Sequence, residues 1–395
     1  MNHTNKTIPP RVNRLKAAMA RNGLNAIVSF KPENSFYFTG FNPIIYSHPV
    51  IAILTPDHDP IMLVHALRDD HGRASAWSPD IRLYGKWSTK VTMGPNWLHA
   101  LVKILADLGV ASGTVGIEEE FVSIQRYNQL KDALGEATLK DVSPLIDHCR
   151  LIKDPDEIAN ARIAAKIADH GMDAAIDALA AGGTERDVCA ASMHAMNTFW
   201  AANYPDVEVC DFGSLEGGVQ NGLWTWALSG PRMFYNCDNP TQRKPQQGEA
   251  VSVFIWTVAN GIHAENERTI AVGKLPEVNR KAIDDILEIR EEVDAIIKPG
   301  TPYAELFEKT RQGLVARGYG DYIPGRIGHG IGLGAHEHSS LDAASPLVLE
   351  PGMLFTFEPN LRVPDVCATQ FSDTILITET GREYLTQSRG GYLEV

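Results

Sequence analysis

Cysteine is scarce in this sequence, and a long apolar run is absent from it. The chain has 395 residues and 5 cysteines, which form no Cys-x-x-Cys pair, so neither a disulfide framework nor a thiolate zinc site is predicted. No apolar stretch is long enough to span a membrane, and the N-terminal segment lacks the pattern of a signal peptide. We therefore expect a cytoplasmic protein.

Positive charge is also in short supply. Lysine and arginine number 36 against 49 aspartates and glutamates, which gives a formal net charge of -13. Such a charge disfavours nucleic acid or an anionic membrane surface as the main partner. It is mildly compatible with a cationic substrate, but an acidic surface that keeps the protein soluble explains it as well, so net charge decides nothing further.

The order of predicted strands and helices divides the chain into two domains. In the first half, short apolar strands alternate with amphipathic helices such as Trp97–Leu108, which predicts an α/β domain. The sequence RLIKDPDE then places Asp154 as an N-cap before Pro155, at the start of a long Ala-rich helix. The predicted domains are residues 1–152 and 153–395.

The second half begins with helices and continues with strands. Helices are predicted at Ile158–Ala181 and Glu185–Trp200, and strands at Ala250–Val258, Leu354–Glu358 and Asp373–Thr378. This order predicts an α+β domain in which helices cover one face of a curved antiparallel sheet.

Three segments of this half concentrate acids, bases and possible ligands: NGIHAENERTIAVG (Asn260–Gly273), GRIGHGIGLGAHEH (Gly325–His338) and LEPGMLFTFEPNL (Leu349–Leu361). Glycines on both sides of His329 permit close approach of the backbone, and His336 lies in the same stretch. Glu358 follows an apolar strand and precedes Pro359, so its carboxylate is expected beside a buried sheet, where it needs a partner.

These segments resemble the pita-bread hydrolase superfamily (peptidase family M24), which contains methionine aminopeptidase, prolidase, aminopeptidase P and creatinase. The matching pieces are HGIGL…HE, LEPGM…FEP and the ERT of GIHAENERT, while NSFYFTG and IKDPDEI extend the match over the whole chain. The resemblance implies a creatinase-like α/β N-terminal domain and an α+β C-terminal pita-bread domain, whose curved antiparallel sheet is covered by helices.

The metallopeptidases of this superfamily bind two metal ions through two Asp, one His and two Glu. The resemblance places these ligands at Phe254, Glu265, His329, Glu358 and Ser372. Phe254 has no donor atom and Ser372 is a poor neutral ligand, so two ions would lack the carboxylates that bridge them. We therefore expect no metal cofactor, with a single divalent ion at Glu265, His329 and Glu358 as the alternative.

Other features resemble the metal-independent creatinase branch, namely LWTWALSG, the DNPTQR run and ENERT. In creatinase, two Glu side chains grip the guanidinium of creatine, which implies this role for Glu267 and Glu358. The catalytic His of creatinase falls at Cys237 or Asp238, which remain open as a nucleophile and a general acid/base. The carboxylate-binding arginines of creatinase do not match, so creatine itself is a poor candidate substrate.

The remaining pocket is acidic, which predicts a small cationic or polar substrate. The predicted catalytic residues are His329, His336, Glu358, Glu267, Cys237 and Asp238, and the predicted substrate-binding residues of the same chain are Glu265, Glu337, Trp226 and Phe254. The resemblance further implies a homodimer in which the N-terminal domain of one subunit lies near the other's pocket, with Tyr46 and His48 as the residues that reach it.

We predict a creatinase-like hydrolase that cleaves a C–N bond of a small guanidino, amidine, ureido or amide compound without metal. Three alternatives stay open. An Xaa-Pro-type metallopeptidase with a degenerate metal site is favoured by HGIGL…HE, a lyase acting on a cationic osmolyte needs similar acids and bases, and a non-catalytic binding protein would explain the missing ligands.

Overall fold

The computed structural model describes residues 7–212 and 221–395, which form two units. The N-terminal unit contains the described residues up to 150 together with 211 and 212, and the C-terminal unit contains residues 151–210 and 221–395. Within these described ranges, no helix combines the length and the apolar character needed to cross a membrane.

The N-terminal unit is built on a six-stranded mixed sheet. Its strands are β1 (Ala26–Ser29), β2 (Ile51–Leu54), β3 (Ile61–His65), β4 (Asp80–Tyr84), β5 (Thr114–Ile117) and β6 (Thr138–Asp141). They lie in the order β4-β3-β2-β1-β5-β6. Its helices are α1 (Pro10–Arg21), α2 (Pro32–Thr39), α3 (Asp69–Ser75), α4 (Trp97–Asp107), α5 (Ile124–Ala133) and α6 (Ser143–Arg150). Both faces of β3 are buried, because Ile61 and Leu63 pack in one apolar cluster and Met62 and Val64 in another.

The two N-terminal residues with a predicted role at a neighbour's pocket differ in exposure. Tyr46 is only 2% exposed, and its hydroxyl donates a hydrogen bond to Oδ1 of Asn42 at 3.2 Å. A side chain buried inside its own unit is a poorer candidate for reaching another subunit than an exposed one, and the role of Tyr46 stays a prediction. His48 is exposed. Its role and the homodimer stay predictions.

The C-terminal unit contains helices and a mostly antiparallel sheet. Its helices are α7 (Pro155–Ala180), α8 (Glu185–Asn203), α9 (Glu277–Asp294) and α10 (Tyr303–Ala316). Its strands are β7 (Trp224–Ser229), β8 (Glu249–Ala259), β9 (Ile262–Val272), β10 (Leu354–Phe357), β11 (Arg362–Val363), β12 (Cys367–Ala368), β13 (Ser372–Ile377), β14 (Arg382–Tyr384) and β15 (Leu393–Glu394). The main sheet has the order β10-β13-β9-β8-β7, with β14 beside β13 and β15 beside β9, and β11 pairs with β12.

Local signals explain where α7 starts. Pro155 occupies the first turn, where its missing N–H costs no hydrogen bond, and the Glu157 carboxylate accepts a hydrogen bond from the backbone N–H of Asp154 at 2.8 Å. The helix then packs Ile167 and Met172 against the sheet. The predicted α/β plus α+β pita-bread architecture is confirmed.

Candidate active site

The strands that build the site alternate between an apolar core and a cavity. On β8, Val253 and Ile255 belong to the apolar core, whereas Phe254 and Trp256 line the cavity. On β10, Phe355 and Phe357 lie in the core, and the next residue, Glu358, lines the cavity. Successive side chains of a strand point to opposite faces, so burying one face in the core directs the other to a common space.

The cavity has a volume of about 720 Å³ and gathers most of the predicted site residues. Those that line it are Trp226, Cys237, Phe254, Glu265, Glu267, His329, His336 and Glu358. Both polar and apolar side chains therefore face one space large enough for a short peptide or a similar small molecule.

His329 lies between two carboxylates. Its Nε2 atom is 3.1 Å from Oε1 of Glu358 and 3.6 Å from Oε2 of Glu265. Its Nδ1 atom is 3.0 Å from the carbonyl oxygen of Gly330, and since a carbonyl only accepts, Nδ1 carries the hydrogen. This leaves Nε2 to face the carboxylates, as a donor when protonated or as a ligand when neutral.

The backbone before His329 requires glycine. Gly328 has a φ of +149°, and a Cβ at this position would lie 2.0 Å from the carbonyl oxygen of Thr356. The close approach lets the N–H of His329 donate to Oγ1 of Thr356 at 3.0 Å. The Thr356 hydroxyl also donates to the Glu358 carboxylate, so Thr356 is hydrogen-bonded to both His329 and Glu358.

The charges of this cluster depend on one another. Burial disfavours the charged form of His329, but hydrogen bonds to Glu265 and Glu358 outweigh burial and raise its pKa to about 10. Burial likewise opposes the charge of Glu358, but the hydrogen bond from His329 lowers its pKa to about 2. Burial and the charge of Glu358 raise the pKa of Glu265. The free site thus holds an imidazolium between carboxylates.

His336, the second histidine of the cavity, favours its neutral form, whereas His329 favours its protonated form. Burial, followed by the charge of His329, lowers the pKa of His336 to about 4, so its imidazole is neutral at pH 7. The rings of His329 and His336 have centroids 4.1 Å apart, and the ring of Trp256 meets His336 edge to face at 5.1 Å.

The site has donor atoms suited to a metal ion. One ligand atom from each of Glu265, His329 and Glu358 lies within 4.8 Å of the others. Trp256 Nε1 donates to Oε2 of Glu265 at 2.8 Å, and the buried Ser372 hydroxyl lies beside the same carboxylate and helps to offset the rise of its pKa. One imidazole and two carboxylates are an accepted ligand set for a divalent transition metal.

A row of side chains crosses four neighbouring strands on the same face. Trp226 on β7 pairs in register with Phe254 on β8, Phe254 with Glu267 on β9, and Glu267 with Ser372 on β13. The rings of Trp226 and Phe254 stack with centroids 4.9 Å apart and planes at 7°. Nε2 of Gln370 donates to Oε2 of Glu267 at 2.6 Å. The two positions that lack the expected metal ligands therefore flank Glu267.

Two predicted residues are held elsewhere. Glu337 forms an ion pair with Lys153 at 2.8 Å, with side chains 8% and 3% exposed, and is not among the residues that line the cavity. Asp238 is exposed and pairs with Arg232 at 3.2 Å. These pairings do not support the substrate contact of Glu337 or the catalytic role of Asp238, and both stay predictions. At this turn it is the neighbouring Cys237 that lines the cavity.

The Lys153–Glu337 pair gives a stability prediction. Lys153→Met leaves a buried carboxylate without this ammonium partner, and we expect the free energy of unfolding to fall by about 3 kcal/mol. Urea-induced unfolding measures the change. Arg162→Met is the matched control, because Arg162 pairs with Glu383 at the surface, where an ion pair contributes about 0–1 kcal/mol. Equal losses in the two variants would contradict a special role of the buried pair.

Several cavity residues were not predicted: Trp256, Arg326, Asn360, Arg362 and Gln370. Alternate residues of a strand face the same side, so the prediction of Phe254 could have been extended to Trp256, and that of Ser372 to Gln370. No comparable local signal indicates Arg362, which donates a hydrogen bond to the Asn236 side chain.

Comparison with known proteins identifies the family. The model of metallopeptidase family M24 matches residues 159–379, and that of the creatinase/prolidase N-terminal domain matches residues 11–152. The chain belongs to metallopeptidase family M24.

Individual relatives of this M24 protein cover nearly the whole chain. An uncharacterized peptidase of Staphylococcus haemolyticus is 27% identical over 90% of this chain and 92% of its own length. The Xaa-Pro dipeptidase from Bacillus anthracis has a TM-score of 0.80 at 22% identity and covers 98% of this chain and 99% of its own. The prolidase from Pyrococcus furiosus has a TM-score of 0.76 at 24% identity, covering 95% and 100%. At these identities the structural likeness shows the fold.

These findings overturn the predicted creatinase-like function. The matching family is one of metallopeptidases, and the relatives are described as peptidases, dipeptidases and prolidases, so the metal-independent creatinase-like hydrolase of non-peptide C–N bonds is wrong. The prediction of no metal cofactor is wrong as well, since the family and the cluster of Glu265, His329 and Glu358 both point to metal. The coarser prediction of a hydrolase is confirmed.

Proposed function

We propose that this protein is an M24 peptidase that cleaves short peptides of the Xaa-Pro type, with one divalent metal ion at Glu265, His329 and Glu358. The observation that carries the proposal is the convergence of these three ligands within 4.8 Å on the wall of the cavity. The dipeptidases and prolidases among the relatives support a dipeptide as the substrate.

A bound divalent ion supplies Lewis acidity toward a peptide carbonyl and a more acidic water molecule. Contacts within the chain hold the three ligand side chains in place. The hydrogen bond from Nδ1 to the Gly330 carbonyl fixes the His329 ring, and the Trp256 indole and the Thr356 hydroxyl hold Glu265 and Glu358. Such contacts orient ligands and tune their affinity for metal.

His336 is the residue best suited to move a proton or bind the peptide group. It lines the cavity next to His329 as a neutral imidazole, which can donate one hydrogen bond and accept another. The aromatic rings of Trp226, Phe254 and Trp256 form an apolar wall that displaces water from a bound substrate.

Metal removal tests the proposed function. After chelation, hydrolysis of Xaa-Pro dipeptides such as Ala-Pro is expected to fall to the level of the buffer, because the cleavage loses its Lewis acid. Addition of Mn²⁺, Co²⁺ or Zn²⁺ to about one ion per chain is expected to restore it. Metal analysis and a ninhydrin or chromatographic assay of the released amino acid measure both quantities. Failure of every metal to support cleavage of a panel of Xaa-Pro peptides would reject the proposal.

A further inference from the structure

An ion-pair triad of Arg268, Asp373 and Arg290 lies in the core behind the candidate site. Asp373 on β13 accepts a hydrogen bond from Nη2 of Arg268 on β9 at 2.7 Å and another from Nη2 of Arg290 on α9 at 2.7 Å. All three residues are buried, and within the described ranges none of them lines the cavity. Burial opposes the charge of Asp373, but the two guanidinium groups outweigh burial and lower its pKa, so the carboxylate is ionised. Because buried ion pairs often add little net stability, stability alone does not account for the triad.

The other arm of the Arg290 guanidinium binds the backbone beside the metal cluster. Nη1 of Arg290 donates to the carbonyl oxygen of Phe357 at 2.8 Å and to that of Phe371 at 3.1 Å. Phe357 is the last residue of β10 and directly precedes Glu358, and Phe371 directly precedes β13. The guanidinium carbon also lies 4.7 Å from the centroid of the Phe357 ring. Arg290 therefore joins α9 to the end of β10 and to the start of β13.

Glu358 lies just past the end of β10, so the backbone at this point determines where its carboxylate is. The N–H of Glu358 donates to the carbonyl oxygen of Ile327 at 2.8 Å, and its Oε1 is 3.1 Å from Nε2 of His329. Arg290 holds the peptide carbonyl immediately before Glu358. A guanidinium presents its donors in a rigid fork and can bind a carboxylate and backbone carbonyls together, whereas a lysine ammonium is a point charge on a flexible stem.

We propose that Arg290 is a positioning residue for the metal ligand Glu358: its guanidinium, held by Asp373, fixes the end of β10 and thereby directs the Glu358 carboxylate toward the ion beside His329. This assignment rests on the metal site of the proposed function. Arg290 acts through the backbone at Phe357 and not by contact with the metal or the substrate. Mutation of groups that orient metal ligands from outside lowers metal affinity by about ten- to a hundredfold.

The test measures metal affinity in the absence of peptide. Mn²⁺ is titrated calorimetrically into chelator-treated wild type and into Arg290→Lys, which keeps the charge but loses the fork. The Kd for Mn²⁺ is expected to rise about tenfold or more in the variant. Hydrolysis of Ala-Pro by the metal-saturated proteins gives a second measurement. There kcat is expected to fall while KM stays within about twofold, because the substitution alters the metal site and not the binding of the peptide.

Two variants separate positioning from folding. Arg268→Lys is the matched control, because Arg268 pairs with the same carboxylate but donates to the carbonyls of Glu267 and Ser372 and not to the end of β10. It is expected to lower the melting temperature as Arg290→Lys does, and to leave the Kd for Mn²⁺ within about threefold of wild type. Arg290→Met leaves Asp373 paired with Arg268, so the buried charges stay balanced. It is expected to weaken Mn²⁺ binding about tenfold or more, and it provides the test if Arg290→Lys does not fold.

The outcomes distinguish this proposal from the peptidase proposal. A wild-type Kd in the folded Arg290 variants, equal weakening of Mn²⁺ binding in Arg268→Lys, or no uptake of Mn²⁺ by wild type would overturn the positioning role. Metal-dependent cleavage of Ala-Pro that persists beside an unchanged Kd would leave the peptidase proposal standing. Mn²⁺ binding that depends on Arg290, in a protein that cleaves no Xaa-Pro peptide, would support the positioning role and reject the peptidase function.

Discussion

His329→Ala is expected to lower kcat/KM for Xaa-Pro dipeptides by about three orders of magnitude or more and to abolish tight metal binding. The side chain is the one member of the Glu265–His329–Glu358 cluster that offers a nitrogen ligand, and its Nε2 faces both carboxylates. Loss of a Lewis acid that contributes several kcal/mol to the transition state corresponds to this change in rate. Steady-state kinetics and metal analysis after gel filtration measure the two effects.

Two further variants test whether the effect belongs to the cluster. Glu358→Gln keeps the shape of the side chain but removes its charge, and it is expected to weaken metal binding and activity in the same direction. His170→Ala, on the exposed surface of α7, is expected to retain both. Wild-type metal content in His329→Ala would show that the ion lies elsewhere.

The fold could be predicted where the spacing of apolar residues agrees with the residues that begin or end a helix or strand. The apolar run at Ala250–Val258 predicts a strand that the structure extends to Glu249–Ala259, and Asp154 with Pro155 predicts the start of α7. The helix α2 gave no such signal, because its aromatic residues favour strands and its amphipathic pattern is weak. The helix nevertheless has regular end signals: Pro32 lies in its first turn, and Gly40, with a φ of +71°, lies at its end.

The motifs predict which residues lie near the site, but they do not predict which side chains pair with one another. Glu337 follows His336 in the sequence, which predicts a common pocket, but of the two only His336 lines the cavity. Its ion-pair partner, Lys153, lies 184 positions earlier in the chain, so only the folded structure brings the two together. Asp238 and Cys237 show the same divergence at neighbouring positions, with Cys237 toward the cavity and Asp238 toward Arg232.

The metal prediction was wrong because missing ligands were interpreted as a missing metal. Phe254 and Ser372 lie where the resemblance to the metallopeptidases places two of the five ligands, and both belong to the row that crosses Glu267. The remaining donors come from β9, from the loop after Gly328 and from the end of β10, and they meet independently of that row. Under the proposed function, these three donors hold one ion without ligands from residues 254 and 372.

The same geometry predicts that a second ion can be restored. The double variant Phe254→Asp/Ser372→Glu places a carboxylate on either side of Glu267, at the two positions where the resemblance predicts the missing ligands. The metal content is expected to rise from about one to about two ions per chain, because two closely spaced divalent ions need bridging and neutralising carboxylates. Calorimetric titration with Mn²⁺ after chelation, checked by metal analysis, measures the number of sites.

Stability provides an independent measure of the same change. In chelator the double variant is expected to melt at a lower temperature than wild type, because the added carboxylates lie next to buried Glu265 and Glu267 without a cation. Added metal is expected to raise its melting temperature by more than that of wild type, since a second binding free energy is then linked to folding. Each single variant, which supplies only half of the missing ligands, serves as the control and is expected to stay near one ion. A double variant that folds but still binds a single ion would show that residues 254 and 372 do not define the second metal position.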